Sequence, residues 1–131
     1  MRRFEDFSRA LKNLQQIRGK EPPFDAITQA GMVSLFEICF EQAWKAMKEA
    51  LEFHGFASEK TGSPRAVIKQ AYQAGMIADE EAWLAALVAR NNVAHTYNEA
   101  VALIIIRDAQ QRYLPMFEQL QTELRERWGA Q

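Results

Sequence analysis

The chain has 131 residues, 48% of them hydrophobic and 25% charged; these are ordinary globular proportions, and they suit one domain over 1–131 rather than two, each too small for its own core. Sixteen Lys and Arg against seventeen Asp and Glu leave a formal net charge of −1, which excludes a global positive field that would hold nucleic acid non-specifically. The single Cys39 excludes an internal disulfide and a cysteine zinc site, and its apolar neighbours in sequence predict a buried thiol in a reducing compartment.

Met1-Arg2-Arg3 runs directly into Phe4-Glu5-Asp6-Phe7 without the apolar stretch of a secretory signal, and no segment is long enough to span a bilayer. A cytoplasmic protein without membrane contact is expected. Phe4, Phe7, Leu11 and Leu14 recur at helical spacing and predict a first amphipathic helix that stops before Gly19 and Pro22-Pro23. Asp25 is placed to cap a long second helix. Its apolar positions, Met32, Leu35, Phe36, Cys39, Phe40, Ala43, Trp44, Met47 and Leu51, form a stripe too wide for a surface helix. This predicts a central helix ending near Gly55.

Ser63-Pro64 supplies a cap with proline at the first helical position, and Gly75 is placed to end the short third helix. Asp79 caps a fourth helix whose first turn carries Glu80 and Glu81, followed by Trp83, Leu84, Leu87 and Val88. Asn91-Asn92 lowers helix propensity and predicts a break after Arg90. Asn98 can then cap a last long helix, kinked or split by Pro115. Its Val101–Ile106 run is apolar nearly all round, which fits either a deeply buried helix or a subunit interface. No strand alternation, internal repeat or low-complexity tract is visible, so the fold class is all-α, an up-and-down bundle of four to five helices.

The sequence contains no Gly-rich phosphate loop, no Cys/His cluster with zinc spacing and no nucleophile elbow. With only His54 and His95, no histidine-rich metal site is expected, although carboxylates can still hold magnesium; no resident cofactor is expected. His54, beside Gly55, reads as a residue at a helix C-terminus.

The informative segment is Arg90-Asn91-Asn92-Val93-Ala94-His95-Thr96-Tyr97. In an unbroken helix, five residues of separation rotate His95 by about 140° from Arg90, so the two could not face one substrate. A break at the asparagines removes that objection and puts a guanidinium, an imidazole and a phenol on one connection between helices, where functional groups collect. Cleaving an RNA phosphodiester without a metal requires a proton acceptor for the 2′-OH, a proton donor for the leaving oxygen and a cation against the phosphorane. Histidine can serve in either proton role, and arginine can grip two phosphate oxygens. One His95 per chain cannot be base and acid in the same step, so the chemistry is easier at a two-fold interface. The plain alternative is that Arg90 and His95 pair with helix-end carbonyls and carboxylates while Tyr97 is a core aromatic. For Glu41, an ordinary i,i+4 ion pair with Lys45 is expected.

Arg90 to Tyr97 resembles the Arg-x-x-x-x-His-x-Tyr signature of HEPN proteins, with Asn91 as the polar residue often found after the arginine. Phe36-Glu37, Glu41, Ala43-Trp44-Lys45, Pro64 and Trp83 resemble the branch described as nucleotidyltransferase substrate-binding proteins. The resemblance covers nearly the whole chain. It implies a compact bundle, usually a homodimer, with a small nucleotidyltransferase from the adjacent gene as partner. It also implies a toxin–antitoxin role, in which Arg90 stabilises the phosphate, His95 acts as general acid or base in metal-independent RNA cleavage, and Tyr97 accepts AMP from the partner. Glu37, Glu41 and Asn91 are implied as supporting positions. A charge-bearing nucleotide on Tyr97 would compete with RNA for Arg90 and block entry. The same resemblance also admits a non-catalytic binding subunit of the nucleotidyltransferase. Lys60, Arg65 and Lys69 are candidates for a local RNA-binding patch.

Overall fold

The computed structural model describes residues 1–56 and 62–131; Lys60 of the candidate patch lies outside them. Helix α1 (Arg2–Leu14) buries Phe4, Phe7, Leu11 and Leu14, the residues picked out by their helical spacing, and tightens into a 3-10 turn over Gln15–Ile17. Helix α2 (Ala26–Phe53) begins where Asp25 accepts the Thr28 N–H at 2.7 Å. It ends at Gly55, whose φ of 78° lets the Phe56 N–H turn back to the Leu51 carbonyl. Over 28 residues it buries ten side chains and packs against α1, α3, α4, α5 and α6, so it is the axis of the bundle.

Helix α3 (Pro64–Gln73) starts with the Ser63 hydroxyl accepting the Ala66 N–H, and α4 (Glu80–Asn91) with Asp79 accepting that of Ala82. The expected break follows: after Asn91 the chain tightens into a 3-10 turn over Asn92–His95. Asn98 then caps α5 (Glu99–Asp108), accepting from Ala100 and Val101. Between α5 and α6 (Leu114–Arg127) lies a π-turn over Ala109–Tyr113. Pro115 has no N–H for the carbonyl four residues back and its ring crowds that carbonyl, so the last helix widens rather than running straight. Counting α5 and α6 as one rod interrupted there, the bundle has five helices, and the described residues contain no strand.

Four helices meet at an aromatic centre. Phe117 of α6 lies edge-on to Trp83 of α4 at 5.5 Å between ring centroids and to Phe7 of α1 at 6.3 Å, while Phe36 of α2 stacks on Tyr113 at 5.4 Å. These rings are almost wholly buried, and such edge and offset contacts add about 0.5–1.5 kcal/mol per pair beyond area burial. Cys39 lies in the same core. The Val101–Ile106 run is not enclosed on every side: Ala102, Ile105 and Ile106 are buried, but Ile104 is 51% exposed. The run is therefore not buried on every face; among the described residues α5 packs chiefly against α2 and the flanking turns.

Candidate functional site

Arg90 stands on the last turn of α4, where that helix rests on α2. Its Nε donates to Oε1 of Glu41 at 2.6 Å, its Nη2 donates to the same carboxylate, and its Nη1 donates to Asn91 Oδ1 at 3.0 Å. The guanidinium carbon sits 6.0 Å from the centroid of the Phe40 ring. Glu41 is held in turn, since its second oxygen accepts the indole N–H of Trp44 at 3.0 Å. The Arg90 and Glu41 side chains are only 28% and 26% exposed, so their attraction is screened less than that of a surface pair.

The expected Glu41–Lys45 ion pair does not form. Lys45 offers a strongly hydrated point charge, whereas the Arg90 guanidinium offers two N–H groups on one edge at a partly desolvated seam between helices. Glu37 lies one turn before Glu41 on α2 and is half-buried, but no hydrogen bond or ion pair involves it among the described residues.

Past Asn91 the tighter 3-10 winding redirects the chain, and local bonds hold it: the Thr96 hydroxyl donates to the Val93 carbonyl at 2.7 Å, and the Asn98 N–H to the His95 carbonyl at 3.1 Å. Val93 packs partly onto the core and anchors the turn. His95 and Tyr97 project from it, with ring centroids 6.2 Å apart at 73°. Tyr97 is 87% exposed, so it is not the core aromatic of the plain alternative. That alternative survives in part for Arg90, which does pair with a carboxylate. His95 is exposed and no hydrogen bond reaches its ring among the described residues.

Arg90 and His95 are thus neighbours through the chain, joined by no hydrogen bond. The sequence left Trp44 and Phe40 without roles here; the i,i+3 spacing of Glu41 and Trp44, with an indole donor, was the one available signal. Arg65 and Lys69 are exposed on α3 and form no described ion pair with the site. His54 is the helix-end residue expected: its Nε2 lies 3.0 Å from the Trp128 carbonyl, and its ring packs edge-on against that indole.

Chemically, the cluster offers an anchored cation, an exposed imidazole and an exposed phenol on one turn. Two open clefts lie elsewhere, one of about 800 Å³ between Gly75–Trp83 and α6 and one of about 740 Å³ between Arg18–Phe24 and α5. Neither is lined by Arg90, His95 or Tyr97. Among the described residues no helix is long and apolar enough to cross a membrane.

Comparison with known proteins finds relatives of the whole fold. A curated relative, the probable ribonuclease HepT of Haemophilus influenzae, is 28% identical over 78 residues, covering 58% of this chain and 53% of the relative; the chain thus spans about half the length of the relative it matches. A crystal structure from Thermus thermophilus superposes with a TM-score of 0.78 at 30% identity, over 92% of this chain and 99% of that one. A Haemophilus influenzae structure, presented as the fold of a substrate-binding domain of a nucleotidyltransferase, gives a TM-score of 0.79 at 23% identity over 94% and 99%. A chain of a toxin–antitoxin crystal structure with AMP-PNP gives 0.75 at 20% identity over 94% and 95%. These last two likenesses establish the shared fold. Residues 2–126 match the family described as nucleotidyltransferase substrate binding protein like, and the chain belongs to that HEPN-like family.

Proposed function

We propose that this chain is the toxin of a toxin–antitoxin pair, a ribonuclease that cleaves RNA phosphodiesters without a metal and is silenced by a partner nucleotidyltransferase. Arg90 binds and stabilises the phosphate, His95 moves a proton, and Tyr97 accepts AMP. A homodimer supplies the second proton-transfer group from its other His95. The observation that carries this reading is the exposed His95–Tyr97 pair on the turn that follows the anchored Arg90. An exposed turn leaves His95 and Tyr97 open to a polymer, whereas a small molecule typically binds in a cleft. The likeness to a probable ribonuclease and to a chain of a toxin–antitoxin complex points the same way.

The test is expression without the partner, following growth and RNA integrity. Wild type is expected to arrest growth and degrade RNA, and His95→Ala and Arg90→Ala to do neither while remaining folded. With the partner and ATP, AMP should add to wild type and not to Tyr97→Phe. Harmless expression of a folded wild type would support a second reading, a non-catalytic substrate- or nucleotide-binding subunit of the nucleotidyltransferase. The engagement of Arg90 by Glu41 favours that second reading, since it offsets the charge an RNA phosphate would meet.

A further inference from the structure

We infer that Glu41, held by Trp44, is a positioning residue that selects which edge of the Arg90 guanidinium meets phosphate; this rests on the proposal that Arg90 is the phosphate-binding group. A guanidinium carries five N–H groups: one on Nε and two on each Nη. Glu41 takes the Nε hydrogen and one from Nη2, and Asn91 takes one from Nη1. One N–H on each terminal nitrogen remains. Those two nitrogens form the end of the fork, which matches two oxygens of one phosphate.

The one partner of the Nε–Nη2 edge, Glu41, is itself held. The Trp44 indole N–H holds the other carboxylate oxygen at 3.0 Å, and Trp44 is itself half-buried against the core. The Phe40 ring lies beneath the guanidinium, its centroid 6.0 Å from the guanidinium carbon. A long side chain that would sample many rotamers is therefore restricted before substrate arrives, and preorganisation of this kind lowers the ordering required in the transition state. Glu41 also offsets part of the Arg90 charge, which weakens ground-state attraction to phosphate. The two effects separate kinetically: losing Glu41 should lower kcat through misplacement and leave KM unchanged or smaller.

The conservative variants separate geometry from charge. Glu41→Gln keeps an oxygen acceptor at the same reach, while Glu41→Asp keeps the charge one methylene short. Positioning predicts that Gln preserves more kcat than Asp.

The experiment combines RNA-cleavage kinetics with the NMR signal of the Arg90 Nε–H, recorded alone and with a single-stranded DNA oligonucleotide that lacks the 2′-OH and cannot be cleaved this way. Folding is checked by circular dichroism. In wild type the Nε–H signal should be resolved, and the oligonucleotide should shift it. In Glu41→Ala the signal should merge with those of mobile arginines and kcat should fall about ten- to a hundred-fold, with Gln intermediate and Asp close to Ala. If wild type cleaves RNA and folded Glu41→Ala matches it in kcat and in the Nε–H signal, the positioning role is overturned and the ribonuclease reading stands. An Asp variant as active as wild type also overturns it, because charge alone would then suffice. If wild type cleaves no RNA, the ribonuclease reading fails separately. Positioning then stands if the oligonucleotide shifts the Nε–H signal in wild type and not in Glu41→Ala, and it falls on any other pattern.

Discussion

At the scale of single residues, the ion pair that anchors Arg90 joins parts of the chain far apart in sequence, while the bonds around it are local. The i,i+4 rule pairs Glu41 with Lys45 because it sees only one helix, whereas the actual partner, Arg90, is 49 residues away. The same holds for Glu118, whose two oxygens accept from Arg18 at 2.7 and 3.0 Å and from Gln15 at 2.9 Å. The hydrogen bonds from Arg18, then burial acting the opposite way, then Gln15, leave the Glu118 carboxyl below its ordinary value of 4.5. A carboxyl whose folded value is depressed contributes stability above its unfolded value and loses it as pH falls through the folded value. Glu118→Gln should therefore lower stability near neutral pH, by about 1 kcal/mol or less because the pair is partly exposed and screened. The difference from wild type should vanish well below pH ~4. Urea unfolding at both ends of that range checks the sign; an equal deficit at all pH values would mean that packing, not charge, is lost.

At the scale of elements, the ends of helices were legible because capping is local chemistry. Asp25, Ser63, Asp79 and Asn98 cap the helices assigned to them, and the asparagines after Arg90 mark a real change of winding. Pro115 announced an interruption but not its form; a missing N–H is compatible with a kink, a split or the π-turn found here. The Val101–Ile106 run was ambiguous because hydrophobicity has no direction when every face is apolar, and only packing reveals that Ile104 is left half-exposed. Asn98 also links element to site, since its side chain starts α5 and its N–H bonds to the His95 carbonyl. Asn98→Ala should cost about 1 kcal/mol in chemical denaturation. Asn98→Asp, which keeps the side-chain acceptor, should recover most of it; failure to do so would remove the cap as the cause.

At the scale of the whole molecule, the helical class followed from periodicity and turn residues, but the convergence of Phe7, Phe36, Trp83 and Phe117 depends on crossings no single segment encodes. That convergence fixes α4 on α2 and so sets Arg90 against Glu41, leaving His95 and Tyr97 on the outward turn. The core carries the scaffold, and the proposed chemistry sits at its edge, on the last turn of α4 and the 3-10 turn that follows it. The most direct test of that assignment is incubation of the purified chain with end-labelled single-stranded RNA in excess chelator, comparing wild type with His95→Ala of matched thermal stability. Cleavage by wild type that leaves 2′,3′-cyclic phosphate ends, with none by His95→Ala, is the predicted result. Equal cleavage by both proteins, or intact RNA with a folded wild type, would contradict it.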